Sequence, residues 1–374
     1  MKLPYLISIN RLKSFTAVMA VLFFFGSDGF AQKEKEENKK RKTYKELNAE
    51  AYPDKEDNLD GTFTGVNNTV GFSVNEPNPH TTMTSTAENE DIIGRWNITM
   101  DKDGKEAPSW LEVKLSGFKV LTGQFVGDDG SARPISQVNF ENGKVSFSIP
   151  PQWQDTDKDL DFEAVVENGK LRGRIHHPSG GTYDFVGERA PSLKREGNPT
   201  WAAPIMLFNG ENLEGWYADK DQNQWKIVNG ILTSEASGAN LISDQKFDDF
   251  KLDVEFRYPE GSNSGIFLRG RYEVQIQDDK GKEASSVLFG GVYGFLTPNE
   301  MVAKSAGEWQ TFEITLIGRR LTIVANGKTI ICDQVIPGIT GGALDSHEAL
   351  PGPIMLQGDH GPVEFRRIIL TPAK

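Results

Sequence analysis

The sequence predicts an all-β protein of two successive antiparallel domains: a small barrel or sandwich over residues 91–190, then a jelly-roll β-sandwich over residues 204–374. Three observations carry this. Short segments alternate apolar and polar residues, the period of a half-buried strand whose side chains point to opposite faces. Asn-Gly and Asp-Gly pairs stand between them at Asp103-Gly104, Asn142-Gly143, Asn168-Gly169, Asn229-Gly230 and Asn326-Gly327, the strongest short-range hairpin signal. Almost nothing in either region reads as helix, so strands must pack on strands.

Taken in order, residues 1–31 have the three-part layout of a secretory signal. Lys2, Arg11 and Lys13 supply charge, Phe15 to Phe25 is apolar, and small residues precede Ala31. The apolar run is too short for an ordinary membrane span. No cysteine lies nearby to take a lipid. The expected location is periplasmic or secreted, with no membrane span once the signal is removed. Residues 32–90 are polar with few apolar groups, which reads as a flexible linker, with room for a short helix near Thr43–Ala51.

In residues 91–190, alternation and turn pairs place about eight strands at 94–100, 110–115, 120–126, 135–140, 145–149, 160–167, 171–176 and 182–188. Such a meander predicts a small, lipocalin-like barrel serving as an accessory or binding module. His176 and His177 are adjacent on a strand and face opposite ways, a poor arrangement for one metal ion. Pro191 and Pro199 mark a linker over residues 191–203.

The remainder, residues 204–374, carries about a dozen strands, enough for two stacked sheets. Within it Phe250 to Tyr258 points Leu252, Val254 and Phe256 inward. The net charge of −12 argues against nucleic acid as a partner, because phosphate binding needs concentrated positive charge. The single cysteine, Cys332, excludes an intramolecular disulfide, and its apolar neighbours Ile330 and Ile331 predict a small buried core residue. No phosphate-binding glycine loop, dinucleotide fingerprint or nucleophile elbow occurs in the sequence.

One stretch organises this second domain. From Ser264 to Asp279 the chain reads as two strands joined at Gly270–Arg271. Val274 and Ile276 take one face of the second strand, while Glu273, Gln275 and Gln277 take the other. Two amides and a carboxylate in a row, beside Arg269, suit a surface that grips hydroxyls. The plainer alternative is an ordinary solvated sheet face.

The segments LFNGENLEGW (207–216), NSGIFLRGRYEVQIQD (263–278), GEWQTFEI (307–314) and PIMLQGDHGPVEFRRI (353–368) resemble the 3-keto-disaccharide hydrolase domain family. The resemblance covers roughly Pro204 to Lys374 and leaves the first domain uncovered. It implies a concanavalin-like jelly roll, export, a carbohydrate partner, and cleavage of glycosides already oxidised to a ketone at C3. That ketone acidifies the C2 proton and puts the C1 aglycone in the β position. The reaction then needs a base, a proton donor for the leaving oxygen, and stabilisation of an enolate.

On these residues Glu273 is the candidate base. His360 is the proton shuttle or a metal ligand, and Arg269 is the group that pairs with Glu273 and polarises the ketone. Gln275, Gln277 and Gln357 are candidate hydroxyl binders, with Glu255 and Asp278 as further polar contacts. Tyr293 and Trp309 are candidate stacking platforms, and His347 a candidate for the rim. No cofactor is required by the pattern, and a divalent metal stays open. The alternatives are a laminarinase-type glycosidase, which needs acidic residues alternating where Gln275 and Gln277 stand, and a non-catalytic polysaccharide binder.

Overall fold

A computed structural model describes residues 90–374; the signal segment, the linker that follows it and the Thr43–Ala51 helix lie outside the described residues. The alternating segments of the first domain become β1 (Gly94–Lys102), β2 (Lys105–Ser116), β3 (Val120–Val126), β4 (Arg133–Glu141), β5 (Lys144–Ile149), β6 (Leu160–Glu167), β7 (Lys170–His176) and β8 (Thr182–Arg189). Each pairs antiparallel with the next, and β1 pairs with β8 to close a barrel. Asn142-Gly143 and Asn168-Gly169 all take positive φ, the backbone that tight hairpins demand and that Asn and Gly tolerate. Eight strands leave an interior just wide enough for side chains. Here Trp96, Phe125, Phe147, Phe162 and Phe185 fill it, with Phe147 and Phe162 stacked at 4.5 Å. The barrel is therefore a solid body; the void at its mouth, about 30 Å³, suits one water molecule.

The second domain comprises β9 (Ile205–Phe208), β10 (Trp216–Ala218), β11 (Trp225–Val228), β12 (Ile231–Ser234), β13 (Leu241–Phe247), β14 (Phe250–Arg257), β15 (Asn263–Leu268), β16 (Tyr272–Gln277), β17 (Gln310–Ile317), β18 (Arg320–Ala325), β19 (Lys328–Val335), β20 (Gly352–Leu356) and β21 (Val363–Pro372). They form a five-stranded sheet in the order β10-β13-β20-β15-β16 and an eight-stranded sheet in the order β11-β12-β21-β14-β17-β18-β19, with β9 beside β21. Leu252, Val254 and Phe256 from one sheet and Ile266, Val274, Ile276 and Leu356 from the other share one core, as the alternation requires of a jelly-roll sandwich. Cys332 corrects its expectation. It lies on β19, the last strand of its sheet, where Ile330 and Ile331 are buried and Cys332 is exposed.

Barrel and sandwich share apolar surface. On β2, Leu111 and Val113 face the barrel interior, so Trp110 faces outward. Its ring and the side chain of its cross-strand partner Val126 are buried in the core of the sandwich, with Phe295 edge-on to the indole at 5.2 Å. Asn97 of β1 donates to the Ser346 carbonyl at 3.0 Å, and Thr99 meets the Ser346 hydroxyl at 2.5 Å. The linker is also tied down: Arg195 reaches Asp249 and Asp248, both at 2.8 Å. His347, considered for a site rim, stands exposed on this docking loop beside Asp345, outside the cleft described next.

Candidate active site

The outer face of the five-stranded sheet carries the site, and register builds it. On β15 and β16, Phe267 lies opposite Glu273, Gly265 opposite Gln275 and Asn263 opposite Gln277; Met355 of β20 lies opposite Phe267. Alternation sends Val274 and Ile276 to the core and Glu273 and Gln275 to this outer face. The turn between the strands needs two left-handed residues, Arg269 (φ 53°) and Gly270 (φ 65°). The bare Cα of Gly265 leaves room for the neighbouring carboxylate, since a methyl there would stand 2.5 Å from Glu273 Oε1.

β16 is an edge strand, and the loop after it covers the edge. Gln275 N–H donates to the Gly291 carbonyl at 2.9 Å, Gly290 N–H returns to Gln275 at 2.9 Å, and Tyr293 N–H bonds Glu273 at 3.0 Å. This brings Tyr293 to the wall. The opposite wall is the loop after β20, residues 358–361. Gly358 N–H donates to Asn240 Oδ1 at 2.9 Å, and the Ser237 hydroxyl holds the Asp359 carbonyl. The result is a cleft of about 510 Å³ that includes Glu273, Gln275, Tyr293, Gln357, Asp359 and His360.

Its electrostatics are unusual. Glu273 is 5% exposed and, among the described residues, pairs with no cation. Burial, reinforced by the nearby Asp359 charge, pushes its pKa up to about 8, against which the Gln357 amide pulls weakly. Such a carboxyl is a strong base when ionised and a neutral donor when not. His360 meets Asp359 with Nδ1 to Oδ1 at 2.6 Å, and that hydrogen bond raises the imidazole above its ordinary pKa while lowering that of Asp359. Burial and the Glu273 charge raise the Tyr293 phenol.

Two polar atoms here lack partners among the described residues. Gln275 Nε2 donates to Asn263 at 2.7 Å and to Gln277 at 3.0 Å, leaving Gln275 Oε1 buried and unpaired, as is Gln357 Oε1. Buried polar atoms are nearly always satisfied, so orphans in a cleft mark where ligand donors belong. Asp359 and His360 supply two metal donors side by side, but among the described residues no three His, Cys, Asp or Glu converge to hold an ion.

The structure thus brings Glu273, His360, Gln275, Gln357 and Tyr293 into one cleft. Arg269 is a correction. Its left-handed backbone turns it away from Glu273 into full burial, where it donates to the Gly318 carbonyl and to Asp248 at 3.2 Å. It braces the turn and is placed to polarise nothing in the cleft. Arg269→Gln should cost about 2 kcal/mol of stability, the worth of a charged hydrogen bond, and leave kcat of the folded protein unchanged; thermal melts and assays at low temperature check this.

Four further expectations are corrected. Gln277 positions Gln275 and does not line the cleft. Glu255 belongs to the other sheet and pairs with Arg366. Asp278 accepts the Gly261 N–H at 3.0 Å in a turn. Trp309 is occupied by guanidinium groups, Arg257 at 4.7 Å and Arg366 at 4.2 Å from its ring.

Sequence reasoning missed Asn240, Asn263 and Asp359 of the sandwich and Asp129, Gly130 and Trp153 of the barrel, all of which line the cleft. Asp359 sits beside His360 and was legible by proximity. The barrel residues carried no signal beyond a tryptophan in a polar, Pro-bounded loop.

Comparison with known proteins agrees with the C-terminal reading. Residues 203–371 match the family model of the 3-keto-alpha-glucoside-1,2-lyase-like domain. A 3-keto-disaccharide hydrolase of Bacteroides thetaiotaomicron is 30% identical over 96 residues, 22% of this chain and 32% of that protein, so the matched stretch spans about a third of the relative's length. A Parabacteroides distasonis structure assigned provisionally to the glycosyl hydrolases is similar at 23% identity and a TM-score of 0.40, over 49% of this chain and 96% of that one. The carbohydrate-binding module CBM66 of Bacillus subtilis is similar at 14% identity and a TM-score of 0.28, over 41% of this chain and 93% of the other. Sheet order, cleft and matched segment all fall in the C-terminal domain, which over residues 203–371 is similar to the 3-keto-alpha-glucoside-1,2-lyase-like family.

Proposed function

We propose that the chain is an exported carbohydrate-active enzyme that cleaves 3-keto-glycosides by removing the C2 proton and expelling the C1 aglycone. The observation that carries this is a buried carboxyl, Glu273, with no cation beside it among the described residues, sharing a cleft with a hydrogen-bonded imidazole–carboxylate pair. Ionised Glu273 takes the C2 proton, made acidic by the adjacent ketone. The electrons move toward the C3 oxygen and then form the C1–C2 double bond as the aglycone leaves. His360, oriented by Asp359, delivers its proton to the departing oxygen. The Tyr293 phenol and the cleft amides are neutral donors for the transient enolate. Addition of water across the new double bond would make the outcome hydrolysis; release without it would make it elimination.

A laminarinase-type double displacement is less well supported, since it needs paired carboxylates about 5 Å apart, and the positions beside Glu273 on its own strand face are the amides Gln275 and Gln277.

The test is substrate choice. Incubated with a 3-keto-glucoside and with the same glucoside unoxidised, the protein should release the aglycone from the first alone. Cleavage of the unoxidised sugar, or of neither, would overturn the reading. The pH profile of kcat/KM should also be bell-shaped. One proton must be shared between His360 and Glu273, so activity falls on the acid side, where both are protonated, and on the alkaline side, where neither is, with one limb near 8 and the other set by the raised imidazole, whichever of the two holds that proton. A flat profile between neutrality and pH 9, roughly a unit beyond the carboxyl, would remove Glu273 from the chemistry.

A further inference from the structure

The family match begins at residue 203, yet the cleft is not made by the matched domain alone. Asp129, Gly130 and Trp153, all from the barrel, line it together with Glu273 and His360. The barrel's tip is set there with little freedom. Gly342 N–H donates to the Asp128 carbonyl at 2.9 Å. A methyl on Gly341 would run into the Gly130 backbone, and one on Gly294 would stand 2.5 Å from Ala132 N. Bare backbone on the sandwich thus receives bare backbone of the β3–β4 turn, a closeness only glycine permits.

On that platform rests the β5–β6 loop. Gln152 donates to the Ser131 hydroxyl at 2.9 Å, Gln154 Oε1 caps Gln152 N–H at 2.9 Å, and the Trp153 ring lies over Gly130, which holds positive φ. Trp153 nonetheless stays 54% exposed. An indole fixed on one face and open on the other, above a cleft with orphan hydrogen-bond acceptors, is the arrangement that sugar recognition uses: the apolar face of a pyranose stacks on the ring while its hydroxyls find polar partners.

We infer that the barrel supplies the aglycone half of the site, with Trp153 as stacking platform for a leaving sugar and Asp129 as acceptor for its hydroxyls. The inference rests on the 3-keto-glycoside reading and adds that the second ring is selected by a residue outside the matched domain. The reacting, oxidised ring lies over Glu273; the second ring lies toward the barrel.

The test uses the full chain and two substrates, a 3-keto-glucosyl disaccharide and methyl 3-keto-glucoside, whose leaving group is too small to reach Trp153. Wild type should favour the disaccharide in kcat/KM. Trp153→Ala should lower that preference about tenfold, the equivalent of about 1.4 kcal/mol, with the change in KM for the disaccharide. Trp153→Tyr, which keeps an aromatic face, should restore most of it. The inference is overturned if Trp153→Ala leaves the ratio of the two kcat/KM values as in wild type, or if Trp153→Tyr is as impaired as Trp153→Ala. A wild type that cleaves neither substrate overturns the functional reading and this inference together; one that cleaves both with no preference overturns only this inference.

Discussion

Glu273→Gln should lower kcat on a 3-keto-glycoside by about a hundredfold to ten-thousandfold, the range expected when a general acid–base group is lost. The replacement is close to isosteric, so the space left by Gly265 still accommodates it. Its effect on stability should run the other way, and the sign follows from the carboxyl's pKa. In the folded chain that value is about 8, against a reference value of 4.5. Between those limits the unfolded chain has already released its proton while the folded one keeps it, so wild type loses stability as pH rises through this window. A glutamine has no proton to lose. Melting temperatures of the two proteins should therefore be similar near pH 4 and separate in favour of Glu273→Gln by about pH 9. Steady-state kinetics and melting curves on one preparation read both. Near-wild-type turnover would show that the buried carboxyl is not the base. A stability difference that does not change with pH would show that Glu273 is not held protonated.

Trp110→Ala should cost about 3–5 kcal/mol, as expected for emptying a fully buried indole site. The loss falls at the seam between the domains. The ring is rooted in the barrel but buried against the sandwich, and a methyl on Gly338 would collide with it. Wild type should unfold in one step, because the halves share apolar core. The variant should show two transitions as each half unfolds separately, and its activity should fall because the barrel wall of the cleft is no longer fixed. Denaturant curves followed by tryptophan fluorescence distinguish these outcomes; a single, unshifted transition would mean the seam is held by its hydrogen bonds instead.

The strands were legible because alternation is a local property. All eight barrel strands fall within a few residues of their expected positions, and the Glu273–Gln275 row faces outward as its period requires. Legibility ended where a side chain's destination depends on distant parts of the chain. Arg269 stands next to the polar row in sequence, but one left-handed residue turns it toward Gly318 and Asp248. Trp110 opens an expected strand of the barrel, yet its side chain goes to the core of the sandwich while its neighbour Leu111 goes to that of the barrel. Trp153 gave no periodic signal at all, since it lies in a loop whose place is set by how glycines of another domain receive the β3–β4 turn. Cys332 sits in an apolar run, yet it falls in solvent on an edge strand whose pairing is interrupted by register shifts, where two adjacent isoleucines are buried and two residues after them exposed.

The aromatic filling of the barrel has a consequence for how specificity could change. A hollow barrel selects its guest through the residues that also hold it up, so each change of guest puts folding at risk. A stuffed one separates those duties. Phe147 and Phe162 keep the staves together, while residues 150–159 hang outside them as an interchangeable tip. Grafting other sequences into that tip should retune which second ring is accepted without touching what the staves rest on.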